Sequence, residues 1–166
     1  MFTRIFYRAL AHRIAFANGY TFFEKDVSGS SKALTSGIYT LFDSFSNDVC
    51  SIRSGYTTLN GNGIFFGDGN DPLSIEDYKL SGKCFSTFTA SYSKVMNDNG
   101  ATTITYTLTN TGEESFTVKE VGVVSYLSSQ PYGYFLTYRD LLEEPITIEP
   151  GGVGQVTLTF DVNIPS

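Results

Sequence analysis

The sequence predicts a mainly β chain, an antiparallel β-sandwich preceded by an N-terminal amphipathic α-helix. Three observations carry the prediction. Apolar residues alternate with polar ones in two long stretches: Ile104, Tyr106 and Leu108 against Thr103, Thr105, Thr107 and Thr109, then Val156, Leu158, Phe160, Val162 and Ile164 against Thr157, Thr159, Asp161 and Asn163. Period two marks a strand with one buried face. Turn-forming clusters separate the apolar runs, as at Asn60–Gly63, Asn97–Gly100, Asn110–Gly112 and Glu149–Gly152, the punctuation of short strands in a sandwich. The 166 residues, with 14 Phe and 11 Tyr, supply one domain with a real core. The division expected is residues 1–19 as the helix and 20–166 as the sandwich.

In chain order, 2–17 reads as an amphipathic helix. Phe2, Ile5, Phe6, Ala9, Leu10 and Phe16 fall mostly on one stripe, and Arg4, Arg8 and His12 recur at every fourth residue on another. Asn18–Gly19 is its stop. Tyr20 to Lys25 fits a strand, and Ser28 to Ser31 a turn. Residues 32–60 fit helix and strand equally. Ile64 to Phe66 reads as a short strand. Asp71–Pro72, or the pair Ser74 and Asp77, starts a single helical turn ending near Tyr78 and Leu80.

Phe85 to Val95, 101–110 and 116–126 then read as three consecutive strands of an antiparallel meander. In the third, the apolar parity shifts from Phe116 and Val118 to Val121 and Val123. A one-residue shift turns side chains to the opposite face, which predicts a β-bulge near Lys119–Glu120 or burial on both faces there. Tyr134 to Leu142 is a further strand broken by Glu143–Pro145. Ile146 and Ile148 form a brief one before the Glu149–Gly152 turn.

The chain carries a formal net charge of -6 with only 17% charged residues and a pI near 4.6. A nucleic-acid binder presents a basic stripe, so no nucleic-acid partner is expected. The basic exception is the N-terminal end, which has no acidic residue before Glu24. Its arginines interrupt any signal-peptide core, and no run approaches the roughly 20 apolar residues of a membrane span; the basic amphipathic pattern also fits a membrane-surface helix, a lesser alternative, and no membrane partner is expected. A helix packed on its own domain or on a neighbouring subunit is the favoured reading. In the subunit version Phe2, Arg4, Phe6, Arg8, Leu10 and Arg13 are the docking residues, and deleting residues 1–18 should abolish assembly but spare folding.

No catalytic or cofactor constellation stands out. His12 is the only histidine, with no Ser or Cys arrangement to pair with it. Cys50 and Cys84 lack zinc spacing, which leaves free thiols or a disulfide open. Asp68, Asn70 and Asp71 suggest calcium, but Pro72, Leu73 and Lys79 occupy positions where an EF-hand needs ligands or glycine. Glycines 61, 63, 67 and 69 miss the dinucleotide pattern. Glu113–Glu114 and Glu143–Glu144 are adjacent on extended chain and point apart. Tyr126, Tyr132 and Tyr134, with Tyr138, form a candidate recognition surface, since tyrosine is enriched at interfaces.

Four segments occur in a suggestive order: Gly67-Asp-Gly69 with Pro72 and 76–80; 104–125; 139–151; and the strand ending at Val156 to Val162. Over residues 60–164 this resembles β-sandwich domains of tailed-bacteriophage virion proteins, in head-decoration, head-fibre and tail-associated components. The resemblance implies a non-enzymatic structural role in the virion, assembled in the bacterial cytoplasm, with other virion proteins and copies of the chain itself as partners. It implies no cofactor and no catalytic residue. The alternative is a carbohydrate- or host-receptor-binding module of a phage fibre, using the tyrosines and the 67–71 loop. A depolymerase-like enzyme would need carboxylates converging from distant segments.

Overall fold

A computed structural model describes residues 1–8, 22–34, 47–96, 101–127 and 133–160. Among these, eight strands form: β1 (Phe22–Lys25), β2 (Ser31–Leu34), β3 (Gly63–Gly67), β4 (Phe88–Met96), β5 (Thr102–Asn110), β6 (Phe116–Leu127), β7 (Gly133–Ile148) and β8 (Val153–Phe160). β1 and β2 pair as a hairpin. The others build two antiparallel sheets, β3-β6-β7 and β4-β5-β8. The sheets pack face to face over Ile64 and Phe66 of β3, Val118, Val121 and Val123 of β6, Ile104, Tyr106 and Leu108 of β5, and Val156 and Leu158 of β8. Each such side chain contributes about 1.5–3 kcal/mol when fully buried. The fold is thus mainly β and sandwich-like, as the alternation predicts.

The meander is corrected. β4 and β5 pair with Tyr92 opposite Tyr106, but β5 takes β8 as its other neighbour and β6 lies in the opposite sheet between β3 and β7. The turn at Asn110–Gly112 therefore carries the chain across the sandwich. Alternation reports which face is buried and is silent on which strand lies alongside. Asn110, almost fully buried, clamps this crossing. Its Nδ2 donates to Glu114 O (2.8 Å) and Ile148 O (2.9 Å), and its Oδ1 accepts from Gly112 N (2.8 Å). Its backbone exchanges bonds with Gly151 and Gly152. Pro150 followed by Gly151 at φ +72° gives that neighbouring turn its type II pattern.

Both expectations for the parity shift hold. The β6–β7 register jumps between Val118 and Glu120. Val118 opposes Ile146 and Glu120 opposes Leu141, so Lys119 alone faces residues 142–145. The predicted break at Glu143–Pro145 is an interruption of pairing within one continuous strand β7. Pro145, which cannot donate to a ladder, lies in that gap. From Glu120 to Ser125, β6 is buried on both faces. Its second face meets a smaller core of Leu59, Phe65, Leu80, Val124 and Leu136, because the segments on either side of β3, which carry Leu59 and Leu80, fold over the outside of the β3-β6-β7 sheet.

The single helical turn is also corrected. Residues 74–77 form one turn closed by Asp77 N to Ser74 O (3.0 Å). Ser74 N donates to Asp77 Oδ2 (3.0 Å), the reciprocal pairing its sequence spacing suggests, but the chain then leaves toward the sheet. Residues 4–8 are helical. Phe2 is not part of that helix: it bridges to Tyr138, since 1–3 lie extended along the edge of β7. Helical expectations for 9–19, and strand expectations for Val162 and Ile164, lie outside the described residues.

Candidate functional site

The bulge at Lys119 turns Glu120 to the outer face of its sheet, beneath loop 67–82. Arg139 opposes Gly122, so it stands on that face one diagonal step from Glu120. Both are buried, with Glu120 at 0% and Arg139 at 1% exposure. Arg139 Nε donates to Glu120 Oε2 (2.8 Å). Its Nη1 reaches Asp77 Oδ2 (2.8 Å), and its Nη2 reaches Ser81 Oγ (2.8 Å) and Asp71 O (3.0 Å). Glu120 accepts backbone N–H groups from Gly69 (3.2 Å), Ser81 (3.1 Å) and Gly82 (2.7 Å). A buried ion pair survives its desolvation when the remaining donors and acceptors are satisfied, as they are here. Burial pulls the Arg139 pKa down, but hydrogen bonds to Asp77 and Glu120 more than offset it, so the guanidinium stays charged.

The glycines of the loop follow from this packing. A Cβ on Gly69 would overlap Ser81 Oγ, Glu120 Oε1 and Gly82 N, and one on Gly82 would overlap Asp68 Oδ1 and Gly69 N. Gly82→Ala is therefore expected to cost about 1–3 kcal/mol, read as a lower urea midpoint at unchanged slope. An unchanged midpoint would mean that the two loop arms do not touch. In the stretch that raised calcium and glycan readings, Gly67 and Gly69 are thus held inward, while Asn70 and Asp71 are exposed. Asp68 Oδ1 accepts from Lys83 N (2.7 Å), and the Asp71 carbonyl is bound by Arg139. Among the described residues no group of three or more His, Cys, Asp or Glu is arranged to hold a metal ion.

The basic segment docks on its own chain. Thr3 N donates to Thr137 O (3.1 Å), and Thr3 Oγ1 to Leu136 O (2.5 Å). The Phe2 ring stacks on Phe6 (4.0 Å) and meets Tyr138 edge-on (5.2 Å). Arg4 bonds Glu24 through Nε (3.1 Å) and Glu76 through Nη1 (2.7 Å), while Arg8 Nη1 reaches Glu24 (2.6 Å). Glu24 is itself buried. Its hydrogen bond is the main influence holding the Arg4 pKa up. Phe2, Arg4, Phe6 and Arg8 thus make contacts within the chain that the docking expectation left open. Leu10, His12 and Arg13 lie outside the described residues.

Of the tyrosines, Tyr126 and Tyr134 face each other across the β6–β7 ladder with ring centroids 4.9 Å apart, and Tyr126 is exposed. Tyr132 lies outside the described residues. Tyr138 is corrected from surface to core: it is buried and donates to Asp140 Oδ2 (2.6 Å). Burial, then this bond, raises its pKa. Cys50 and Cys84 are free thiols. Burial, with Glu120 and Asp68 nearby, pushes Cys84 up to about 11, which keeps it protonated and unreactive at neutral pH.

One buried carboxylate is imperfectly housed. Asp48 is 2% exposed. Its Oδ1 accepts from Asn62 Nδ2 (2.9 Å), but its Oδ2 has no partner at hydrogen-bonding distance. Burial raises its pKa, against smaller opposing influences from Ser125, Asn62 and Arg53. The folded state therefore binds this proton more tightly than the unfolded chain. The associated stability is fully present below the ordinary aspartate range and is lost as pH rises through the raised folded value. Asp48→Asn is expected to raise stability by about 1 kcal/mol at pH 8, a gain that vanishes below the ordinary aspartate range, measured by urea unfolding at several pH values. Destabilisation at pH 8 would show that the carboxylate is satisfied.

The outer face of the β4-β5-β8 sheet has a different character. Opposed residues share a face, so Thr103, Thr105, Thr107 and Thr109 of β5 stand between Val95, Ser93, Ser91 and Thr89 of β4 and Thr159, Thr157, Gln155 and Val153 of β8. Thr105 and Thr157 hydroxyls lie 3.2 Å apart, and Thr103 and Thr159 3.4 Å. Among the described residues the face holds no charged side chain. No protein-family model, curated protein or solved structure matches the chain.

Proposed function

We propose that the protein is a non-enzymatic structural component of a bacteriophage virion, a capsid decoration, neck or tail accessory protein acting through contacts in a symmetric assembly. The observation that carries this reading is the uncharged hydroxyl face of the β4-β5-β8 sheet. In a chain of net charge -6, it is a surface that a neighbour can cover without stripping water from ions, and interface centres are depleted of charge. Repetition in a particle lets weak contacts add. The ordered resemblance of residues 60–164 to tailed-phage virion proteins points the same way.

Mass spectrometry of purified virions is expected to find the chain in stoichiometric copies, and consistent absence would end the reading. Replacing Thr105 and Thr157 together by Lys should leave the thermal midpoint within a few degrees and remove the chain from particles.

A second reading, a carbohydrate- or host-receptor-binding module, draws on the Tyr126–Tyr134 pair. Aromatic rings offer a large apolar area with a polar tip. Tyr126→Ala should abolish binding to host cells or glycans under this reading and leave incorporation intact under the first.

A further inference from the structure

The side of the sandwich where β7 and β8 form the sheet edges carries an inference that goes beyond the virion reading and does not rest on it. One end of this side is closed by Gly154 against Ile148, where no Cβ would fit. The other end is plugged by the chain's own start. The Phe2 ring sits between Tyr138 (5.2 Å) and Phe160 (6.2 Å). Arg139 N donates to Met1 O (2.9 Å) and Thr3 N to Thr137 O (3.1 Å), so residues 1–3 add to the β7 edge as a short antiparallel strand. Beyond Arg139 that edge runs on to Pro145; Leu141 N donates to Asp140 Oδ1 (3.1 Å), and among the described residues no backbone segment pairs with the edge there.

A groove of about 370 Å³ opens at this point. Ile146, Val156 and Leu158 supply apolar lining, Glu143 and Glu144 an acidic rim, and Thr157 hydroxyl lining. Among the described residues no Lys or Arg lines it. Asp140, also in the lining, is already engaged by Tyr138 Oη and lies 3.7 Å from the N-terminal ammonium. The edge thus continues a strand-addition interface already in use, and its charge selects what can follow.

We propose that this groove is a strand-addition site for an extended partner segment in which apolar side chains alternate with Lys or Arg, docked antiparallel to β7 in line with residues 1–3. Edge pairing supplies backbone hydrogen bonds, and alternation sends apolar side chains to the floor and cations to the rim.

The test uses the full chain and three blocked heptapeptides: alternating Val and Lys, alternating Val and Glu, and the Val/Lys peptide with its central valine N-methylated. Binding is followed by backbone amide shifts. The Val/Lys peptide should perturb residues 141–144 and 156–159 saturably, with affinity falling as salt rises. Charge reversal by E143K with E144K, at exposed positions whose folding is checked by thermal midpoint, should weaken it about tenfold. The N-methylated peptide should bind far more weakly. The proposal is overturned by no perturbation of those residues at millimolar peptide, by equal binding of the Val/Glu peptide, or by shifts spread over the acidic surface that the charge reversal leaves unchanged.

Discussion

Replacing Arg139 by alanine is expected to lower the unfolding free energy by about 3–5 kcal/mol, because it leaves Glu120 as an uncompensated buried charge. That is a large share of the roughly 5–15 kcal/mol that holds a typical domain folded. The chain has no Trp, so tyrosine fluorescence or circular dichroism in urea is the natural readout. Buried ion pairs elsewhere are often replaceable by apolar residues without loss. This one should not be, because Glu120 also receives the amides of Gly69, Ser81 and Gly82. Replacing Glu120 and Arg139 together by leucine and methionine would orphan those three donors, each at about 1–3 kcal/mol. A double variant as stable as the parent would show that the loop amides are satisfied in another way.

Deleting residues 1–8 is expected to cost about 5 kcal/mol or more and to abolish a cooperative transition at room temperature. Ile5 and Phe6 are buried and Phe2 is packed on the main core, at about 1.5–3 kcal/mol for each side chain fully buried. Glu24, 6% exposed in the intact chain, would also lose both of its arginine partners, Arg4 and Arg8. Only the version in which the helix docks on a neighbouring subunit carries the opposite expectation, that removing 1–18 spares folding. Phe2→Ala separates packing from chain length and should cost about 2–3 kcal/mol. A truncated chain melting within a few degrees of the full one would mean that this segment is an appendage.

The sequence and the structure agree where the signal is local. Thr alternating with Ile104, Tyr106 and Leu108 reads directly as a half-buried strand, and the parity change at Lys119 reads as a bulge. The sheet partners were illegible because alternation is the same whichever strand lies alongside. Glu120 and Arg139 escaped as a pair because nineteen positions separate them in the chain. Each had a trace, however: Glu120 sits at the parity shift, where an acidic residue enters a buried run, and Arg139 lies inside the apolar run from Tyr134 to Leu142. A charged pair set within an apolar stretch, Lys119–Glu120 in one strand and Arg139–Asp140 in the next, is the pattern that would have found both. Gly67-Asp-Gly69 looked like ligand chemistry, because close backbone approach to a buried carboxylate and close approach to a bound ion ask for the same residues.

Amide hydrogen exchange at Gly69, Ser81 and Gly82 tests the account most directly, since it asks whether an exposed-looking loop is bolted to a buried carboxylate. These three amides are expected to exchange as slowly as those of β6, at or near the global unfolding limit, and to lose that protection together in Arg139→Ala. Exchange at the rate of an open loop in the parent protein would contradict the account and return residues 67–82 to the candidates for a binding surface.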